Sequence, residues 1–533
     1  MSSASSLIHQ LDQSINSFEN RVDGRVNSVY TATNSVNSTA SQIYAGIQKF
    51  KEDMMKGEQT QLAHENIMRI DQEIKERFSN HEAIRKTVMG VVRDFDINLV
   101  RNSTIQELSE ELWITSSRYW LSYALIAITA WVNNYPDVAK NALAESGRRD
   151  AIKTTMFFSL MNLRFDRIDA AKRWFLEYLN VLDPKMLQQE TAVLLQAFLN
   201  GIFGKDKEME HNVTSLIDQW IDELNADAAA CEELVEAYKT YIEQLNPQVS
   251  FPYAHLGQFC ANCDEMRTSY RDAARFDMIV EVLQSMDVEM ERQDESNYKA
   301  RVDAVLVNLI SNFDPEELSL RTQQAYYRYI VDNSGDMEVA EKQFEEEQRL
   351  KNERFNIGKQ FIGWAVYDDN EETDVHVRKF AMRNTRQWFR GALDKWDVEI
   401  QDRHPLNFNL SIDTWQGTSN GDDQAEQVTA MKNYFENNKF QNMFVNTPNI
   451  AAAIVLILSL GLAFVTIYSL IATVLAAGFL VYRVLKAIKE YPLRVNAALE
   501  NLNKCMEEIA EFKEFFSDNR KKKDDILRLL ESL

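Results

Sequence analysis

Across residues 450–482 the chain carries no charged side chain, and the apolar run continues to Leu485 with only Arg483 interrupting it. A run of more than roughly 18 apolar residues is too long for an ordinary core helix and reads as membrane-spanning. About 20 helical residues cross a bilayer core, so this run is nearly twice what one pass needs. Two threadings stay open: one long tilted helix, or a hairpin of two short helices over 450–466 and 469–485. The hairpin would turn at Thr466, Ile467, Tyr468 and Ser469, and each of its 17-residue arms is at the lower limit for crossing.

Flanking charge favours the hairpin. Lys432 and Lys439 precede the run, and Arg483, Lys486, Lys489 and Arg494 follow it. Basic residues prefer the cytoplasmic side, so an even number of crossings satisfies both flanks. The opening residues Met1 to Ser6 lack the basic and apolar regions of a secretory signal, which leaves the long N-terminal part expected in the cytosol. Against the hairpin, its turn contains no Gly or Pro; Gly461 and Gly478 fall inside the arms instead. The expected localisation is a membrane, with the N- and C-terminal regions both cytoplasmic.

Only 8 prolines and 16 glycines occur among 533 residues. Both residues interrupt helices, so their scarcity predicts long α-structure. The net charge of −23 disfavours a nucleic-acid phosphate backbone as partner. Four cysteines, Cys231, Cys260, Cys263 and Cys505, are too few for a disulfide framework and suit a reducing compartment.

The predicted fold is mainly α: a large multi-helix cytosolic domain, bundle or irregular α-solenoid, with a small β-hairpin element, a C-terminal transmembrane helical hairpin and terminal coiled-coil-like helices. Its parts are expected over 1–100 (long amphipathic helices), 101–350 (bundle or solenoid), 351–448 (helices plus the β element), 449–487 (the membrane segment) and 488–533 (a cytosolic tail). In the first part Ile8, Leu11, Ile15, Phe18, Val22, Val29, Ala32 and Val36 fall at steps of three and four, with Arg25 interrupting the stripe. After a four-residue stutter, Ala40, Ile43, Ile47, Phe50 and Met54 follow. That stripe suits a coiled-coil arm pairing with another chain, or a long helix lying on its own domain. Leu62, Ile67, Ile70, Ile74 and Phe78 are expected to face inward.

The stretch from Tyr119 to Val132 is apolar but only 14 residues long, and predicts a buried helix rather than a span. Beyond it come amphipathic helices punctuated by Pro184, Pro247 and Pro315, each read as a helix stop. Residues 151–184, with Ala171, Phe175 and the closing Pro184, resemble one unit of a tetratricopeptide repeat. Thr155, Phe158, Ser159 and Asn162 stand where that repeat has Trp, Leu, Gly and Tyr. The resemblance implies stacked helical hairpins. Val398, Ile400, Leu406, Phe408, Leu410 and Ile412 alternate with polar residues and predict strands, with a turn-rich exit from Trp415. In the tail, Leu499, Leu502, Met506, Ile509 and Phe516 make one stripe, and Ile526, Leu527, Leu530 and Leu533 another. The tail is expected to pack on the N-terminal arm or to self-associate, and Arg520 to Lys523 read either as contacts for anionic headgroups or as a solvated helix end.

No catalytic signature is present: there is no phosphate-binding loop, dinucleotide-binding turn, paired-histidine zinc motif or nucleophile elbow. The acidic stretch 368–374 lacks the central Gly of a calcium loop. His255, Cys260 and Cys263 are candidate zinc ligands, with Cys231 or a distant His as the fourth, against a reading of structural cysteines in a helical loop. No cofactor is expected. The function expected is a membrane-anchored, non-enzymatic scaffold that holds partner proteins or its own oligomer against a lipid bilayer. The alternative is a membrane-remodelling or pore-forming effector driven by oligomerisation, and a third class is an enzyme whose site converges only in the fold.

Overall fold

A computed structural model describes residues 2–94, 118–286, 295–351, 354–367, 373–444, 453–454, 456–458 and 467–533. It is mainly helical, with one small antiparallel sheet. In chain order the helices are α1 (Ser2–Asp94), α2 (Trp120–Val132), α3 (Pro136–Arg149), α4 (Ala151–Arg164), α5 (Ile168–Asn180), α6 (Gln189–Leu199), α7 (Lys207–Ala226), α8 (Ala228–Gln244), α9 (Ala254–Phe259), α10 (Cys263–Ser285), α11 (Glu295–Ser311), α12 (Pro315–Asp332), α13 (Met337–Lys351), α14 (Ile357–Val366) and α15 (Val375–Arg403). Strands β1 (Phe408–Ile412) and β2 (Trp415–Ser419) come next, then α16 (Gln424–Asn437), α17 (Lys439–Phe444) and α18 (Ile467–Ser532). The chain forms two compact units, one of residues 1–181 and 303–354, the other of 182–302 and 355–533.

In the first unit α1 runs for 93 residues without a break. No proline occurs before Pro136, so nothing removes a helical N–H or clashes with the preceding turn. Residues 20–58 of α1 are exposed or half-exposed throughout, and packing begins near Ala63. From there Ile70, Ile74, Phe78, His81, Ile84 and Val88 are buried, at the three- and four-residue steps of an amphipathic helix. Leu62, expected inward, is exposed. The glycine at the α12–α13 turn has a positive φ of 82°, and a Cβ there would stand 1.9 Å from the Lys56 carbonyl oxygen. Only glycine permits that approach. Lys56 Nζ meets Asp336 Oδ2 at 2.7 Å beside it.

The helix predicted between Tyr119 and Val132 is α2, buried from Trp120 to Ala130. The tetratricopeptide-like unit supplies a helical hairpin, α4 and α5, in which Ala171 and Phe175 are buried. Ser159, where the repeat has glycine, is buried too, and its hydroxyl donates to the Ala171 carbonyl at 3.1 Å. Pro184 belongs to the second unit. Pro184 and Pro247 do follow helix ends, but Pro315 opens α12, whose N-cap Asp314 accepts from the Glu316 N–H. Proline suits a first helical position because that N–H has no helical partner.

In the second unit Tyr238 meets Phe389 edge-on at 5.1 Å, and Trp388 Nε1 donates to Asn225 Oδ1 at 2.7 Å. Val398 and Ile400, read as strand residues, lie in α15. Their short alternation is overridden by a helix whose inward residues Trp388, Ala392, Trp396 and Ile400 keep helical spacing. The sheet instead begins at Phe408 and pairs Phe408 with Ser419 and Ile412 with Trp415. The turn-rich sequence at Trp415 is therefore the second strand. Asp413, at φ 57°, supplies the positive-φ turn residue of a two-residue hairpin.

A buried cluster holds this unit's other end together: Leu256 and Met266, Phe408, Leu410, Ile412 and Trp415, Met431 and Phe435, with Leu502, Cys505, Met506, Ile509 and Phe512 of α18. The tail is thus a core helix of its own unit, contrary to the expectation that it would dock on the N-terminal arm or self-associate. The hairpin's apolar face supplies what its stripe needed.

Candidate functional site

The helix α18 has two halves with opposite environments. From Tyr491 to Phe512 its inward residues Tyr491, Ala498, Leu502, Met506, Ile509 and Phe512 enter the buried cluster. Before that, Val474, Leu475, Phe479, Val481, Tyr482, Leu485 and Ile488 are exposed, Val474 and Leu475 each at 68%. Residues Ile454, Ile457 and Leu458, earlier in the apolar run, are exposed as well. These large apolar side chains are exposed together along one stretch of helix rather than scattered singly over the surface.

Both ends of the run are pinned at one place. Met443, just before it, and Tyr491, just after it, belong to the same buried cluster. The Tyr491 hydroxyl donates to the Phe435 carbonyl at 2.6 Å, and the Arg494 guanidinium grips the Asp413 carboxylate at the β-turn with two hydrogen bonds. Pro492, inside α18, follows directly on that anchor.

Among the described residues no helix is long and apolar enough to cross a membrane. The transmembrane hairpin expected over 449–487 therefore has no support from the fold. Residues 445–452, 455 and 459–466, most of its first arm, lie outside the described residues. Its proposed turn is corrected in part: Ile467, Tyr468 and Ser469 are helical. The second arm also does not end at Leu485, because α18 continues to Ser532 without a break.

The zinc candidates come together as a packing feature. Cys260 and Cys263 are buried with Cys505 in the same cluster, and all four cysteines are free thiols. Burial pushes the Cys260 and Cys263 thiols up, and it pushes Cys505 up to about 12, helped by the Glu508 charge. Zinc needs thiolates, which this environment disfavours. His255 Nδ1 lies 2.7 Å from Glu508 Oε1, and the same carboxylate accepts from the backbone N–H groups of His255 and Leu256 at 3.1 and 2.8 Å. Glu508 thereby holds the start of α9 against α18. Cys231 lies elsewhere, on α8, half-buried. Among the described residues no group of three His, Cys, Asp or Glu side chains is placed to hold a metal ion.

No family model, curated protein or solved structure matches this chain.

The basic cluster of the tail is engaged within its own unit. Arg520 binds Asp397 through two hydrogen bonds at 2.7 and 3.1 Å, Lys523 reaches Asp394 and Asp397, Lys522 pairs with Asp277, and Lys521 with Asp518. Arg520, Lys522 and Lys523 thus tie α18 to α15 and α10, while Lys521 pairs within its own helix and stays exposed. The acidic stretch 368–374 is described only from residue 373, where Asp374 caps α15 by accepting from the His376 N–H at 2.9 Å.

Two further features were not legible from sequence spacing. One is the shared anchoring of Met443 and Tyr491, which depends on residues 48 positions apart and leaves no local signal. The other is a half-open cavity of about 820 Å³ in the first unit, walled by Ile128, Phe158, Met161 and Trp174. Lys140 and Arg167 stand at its lining, with the Arg167 guanidinium 4.3 Å from the Trp131 ring centre. Its walls come from α2 to α5 with Val91 of α1, so only the packing of these helices creates it.

Proposed function

We propose that this chain is a membrane-anchored, non-enzymatic helical scaffold, with the apolar run as anchor and the helical units held at the membrane face. The observation that carries the reading is the shared anchoring of Met443 and Tyr491 in one buried cluster. An apolar segment whose two flanks belong to one buried cluster is suited to enter a bilayer and return. The outward apolar side chains from Val474 to Ile488 support the same reading, since hydrocarbon covers such a surface without loss. So do Arg483, Lys486, Lys489 and Arg494, which follow the run where cytoplasmic-side cations are expected. Because α18 is continuous, the anchor is rigidly joined to the core of the second unit.

Flotation of full-length protein with liposomes tests this reading. The chain is expected to float and to resist a carbonate wash, whereas a Val474→Glu/Leu475→Glu variant loses most of that binding. Wild-type protein that stays monodisperse in detergent-free buffer and remains at the bottom of the gradient refutes it. Dye-filled vesicles are expected to stay sealed; release of the dye would move the assignment to the membrane-remodelling class.

A further inference from the structure

The part of α1 before Lys56 carries an apolar seam whose period sharpens once its exposure is known. Val22, Val29, Val36, Ile43 and Phe50 stand seven residues apart, and Val26, Thr33, Ala40, Ile47 and Met54 form a second line four residues behind them. Together they make a three–four heptad pattern over 22–54 with no stutter. Every one of these residues is exposed, Val29 at 64% and Ile47 at 59%. Thr33 is the one hydroxyl in the seam, and it donates to the Val29 carbonyl at 2.8 Å. The seam therefore brings no unsatisfied polar group into an interface.

Nothing local holds this helix. Residues 26–48 include no Asp, Glu, Lys or Arg, so no charged pair four residues apart supports it. It is rich in Val, Asn, Ser and Thr, which are weak helix formers. Ser28, Thr31, Thr39 and Ser41 also donate back to carbonyls three or four residues earlier, an arrangement that adds little to helix stability. Helices of this kind are stabilised by burying their apolar face.

We infer that the seam of residues 22–54 assembles with the same seam of other copies of this chain into a coiled coil of three or more strands. The absence of charge over 26–48 makes the faces beside the seam compatible with themselves, in a chain whose net charge of −23 opposes contact almost anywhere else. The strand number follows from side-chain shape. The seven-residue line is β-branched at Val22, Val29, Val36 and Ile43, where a two-stranded coil favours leucine. The length of about 33 residues gives nearly five heptads, or about 50 Å of seam. The inference goes beyond the membrane reading and concerns the opposite end of the chain.

Light scattering coupled to size exclusion, on the full chain in mild detergent, tests it. Wild-type protein is expected at three or more chain masses at micromolar concentration. Val29→Asp/Val36→Asp is expected to drop to a single chain mass with an unchanged circular dichroism melt of the body. Ser38→Asp, on the face away from the seam, is expected to assemble like wild type. A monomeric or dimeric wild type, or a seam variant that keeps its assembly, overturns the inference. Liposome flotation of the seam variant is expected to be unaffected, so failure of the membrane reading shows up separately.

Discussion

The carboxylate of Glu317, wholly excluded from solvent, is clasped by both terminal nitrogens of Arg85 at 2.7 and 3.0 Å, and this pair ties α1 to α12. Arg321 adds a hydrogen bond to the same carboxylate at 3.1 Å. The Arg85 and Arg321 guanidinium groups also lie 5.0 and 4.5 Å from the Phe313 ring centre. A buried charge is tolerable only while its partner stays in place.

Removing one member of that pair is therefore expected to cost far more than removing both. Arg85→Ala or Glu317→Ala should each destabilise the first unit by about 3 kcal/mol, because Glu317→Ala strands the buried Arg85 and Arg85→Ala leaves the buried carboxylate with Arg321 as its remaining guanidinium partner. Arg85→Met/Glu317→Leu should recover much of that loss. Urea unfolding of the three variants measures the difference, and additive costs would show that the pair is not acting as a unit.

Acid should loosen the second unit through His404. Its ring stacks on Phe516 at 3.9 Å and Phe512 at 5.2 Å, and its Nδ1 lies 2.8 Å from the Ser269 hydroxyl. Burial, with the charges of Lys513 and Arg520 nearby, lowers its pKa to about 4. An unfolded histidine titrates near 6.5, so between roughly pH 6.5 and 4 the unfolded chain binds the extra proton. The contribution is complete above pH 6.5 and is lost as pH falls toward 4. The melting midpoint should fall by a few degrees over that window, and His404→Gln should flatten this part of the profile.

The thiols should separate into two classes. Cys260, Cys263 and Cys505 are buried, whereas Cys231 is half-buried. Native protein treated with a disulfide-exchange reagent should show one fast thiol, absent in Cys231→Ser, and all four should react in urea. Rapid modification of three or four thiols without denaturant would contradict the packing around α9 and α18.

The turn at Gly335 should tolerate no side chain. Gly335→Ala imposes a positive φ on alanine and drives its Cβ into the Lys56 carbonyl. The expected cost is about 2 kcal/mol or more. Hydrogen exchange should locate the loosening at α12, α13 and the adjoining stretch of α1, with the second unit unchanged.

Much of the helical framework is readable from residue pattern alone. The scarcity of proline and glycine, the short apolar stretch that became α2 and the period-three-and-four stripes all act locally, through backbone freedom and side-chain direction. The same kind of evidence misplaced Val398 and Ile400, because a two-residue alternation of four or five positions cannot be told from one face of a helix. Pro315 was misread for a related reason: proline can follow one helix and open the next, and only the Asp314 cap distinguishes the two.

Local residue pattern is enough to show where apolar surface lies: a charge-free run near residue 470 and a repeating stripe in the first 54 residues. Which of those surfaces the chain covers for itself was decided only in three dimensions. The tail stripe from Leu499 to Phe516 has the same period as the N-terminal one, yet the β-hairpin and α10 bury it, while α1 over residues 20–55 and Val474, Leu475, Phe479 and Leu485 of α18 stay exposed. Periodicity specifies the face a helix offers. Its occupant depends on contacts between residues far apart in the chain, such as Phe408 with Phe512, and no local pattern carries that information.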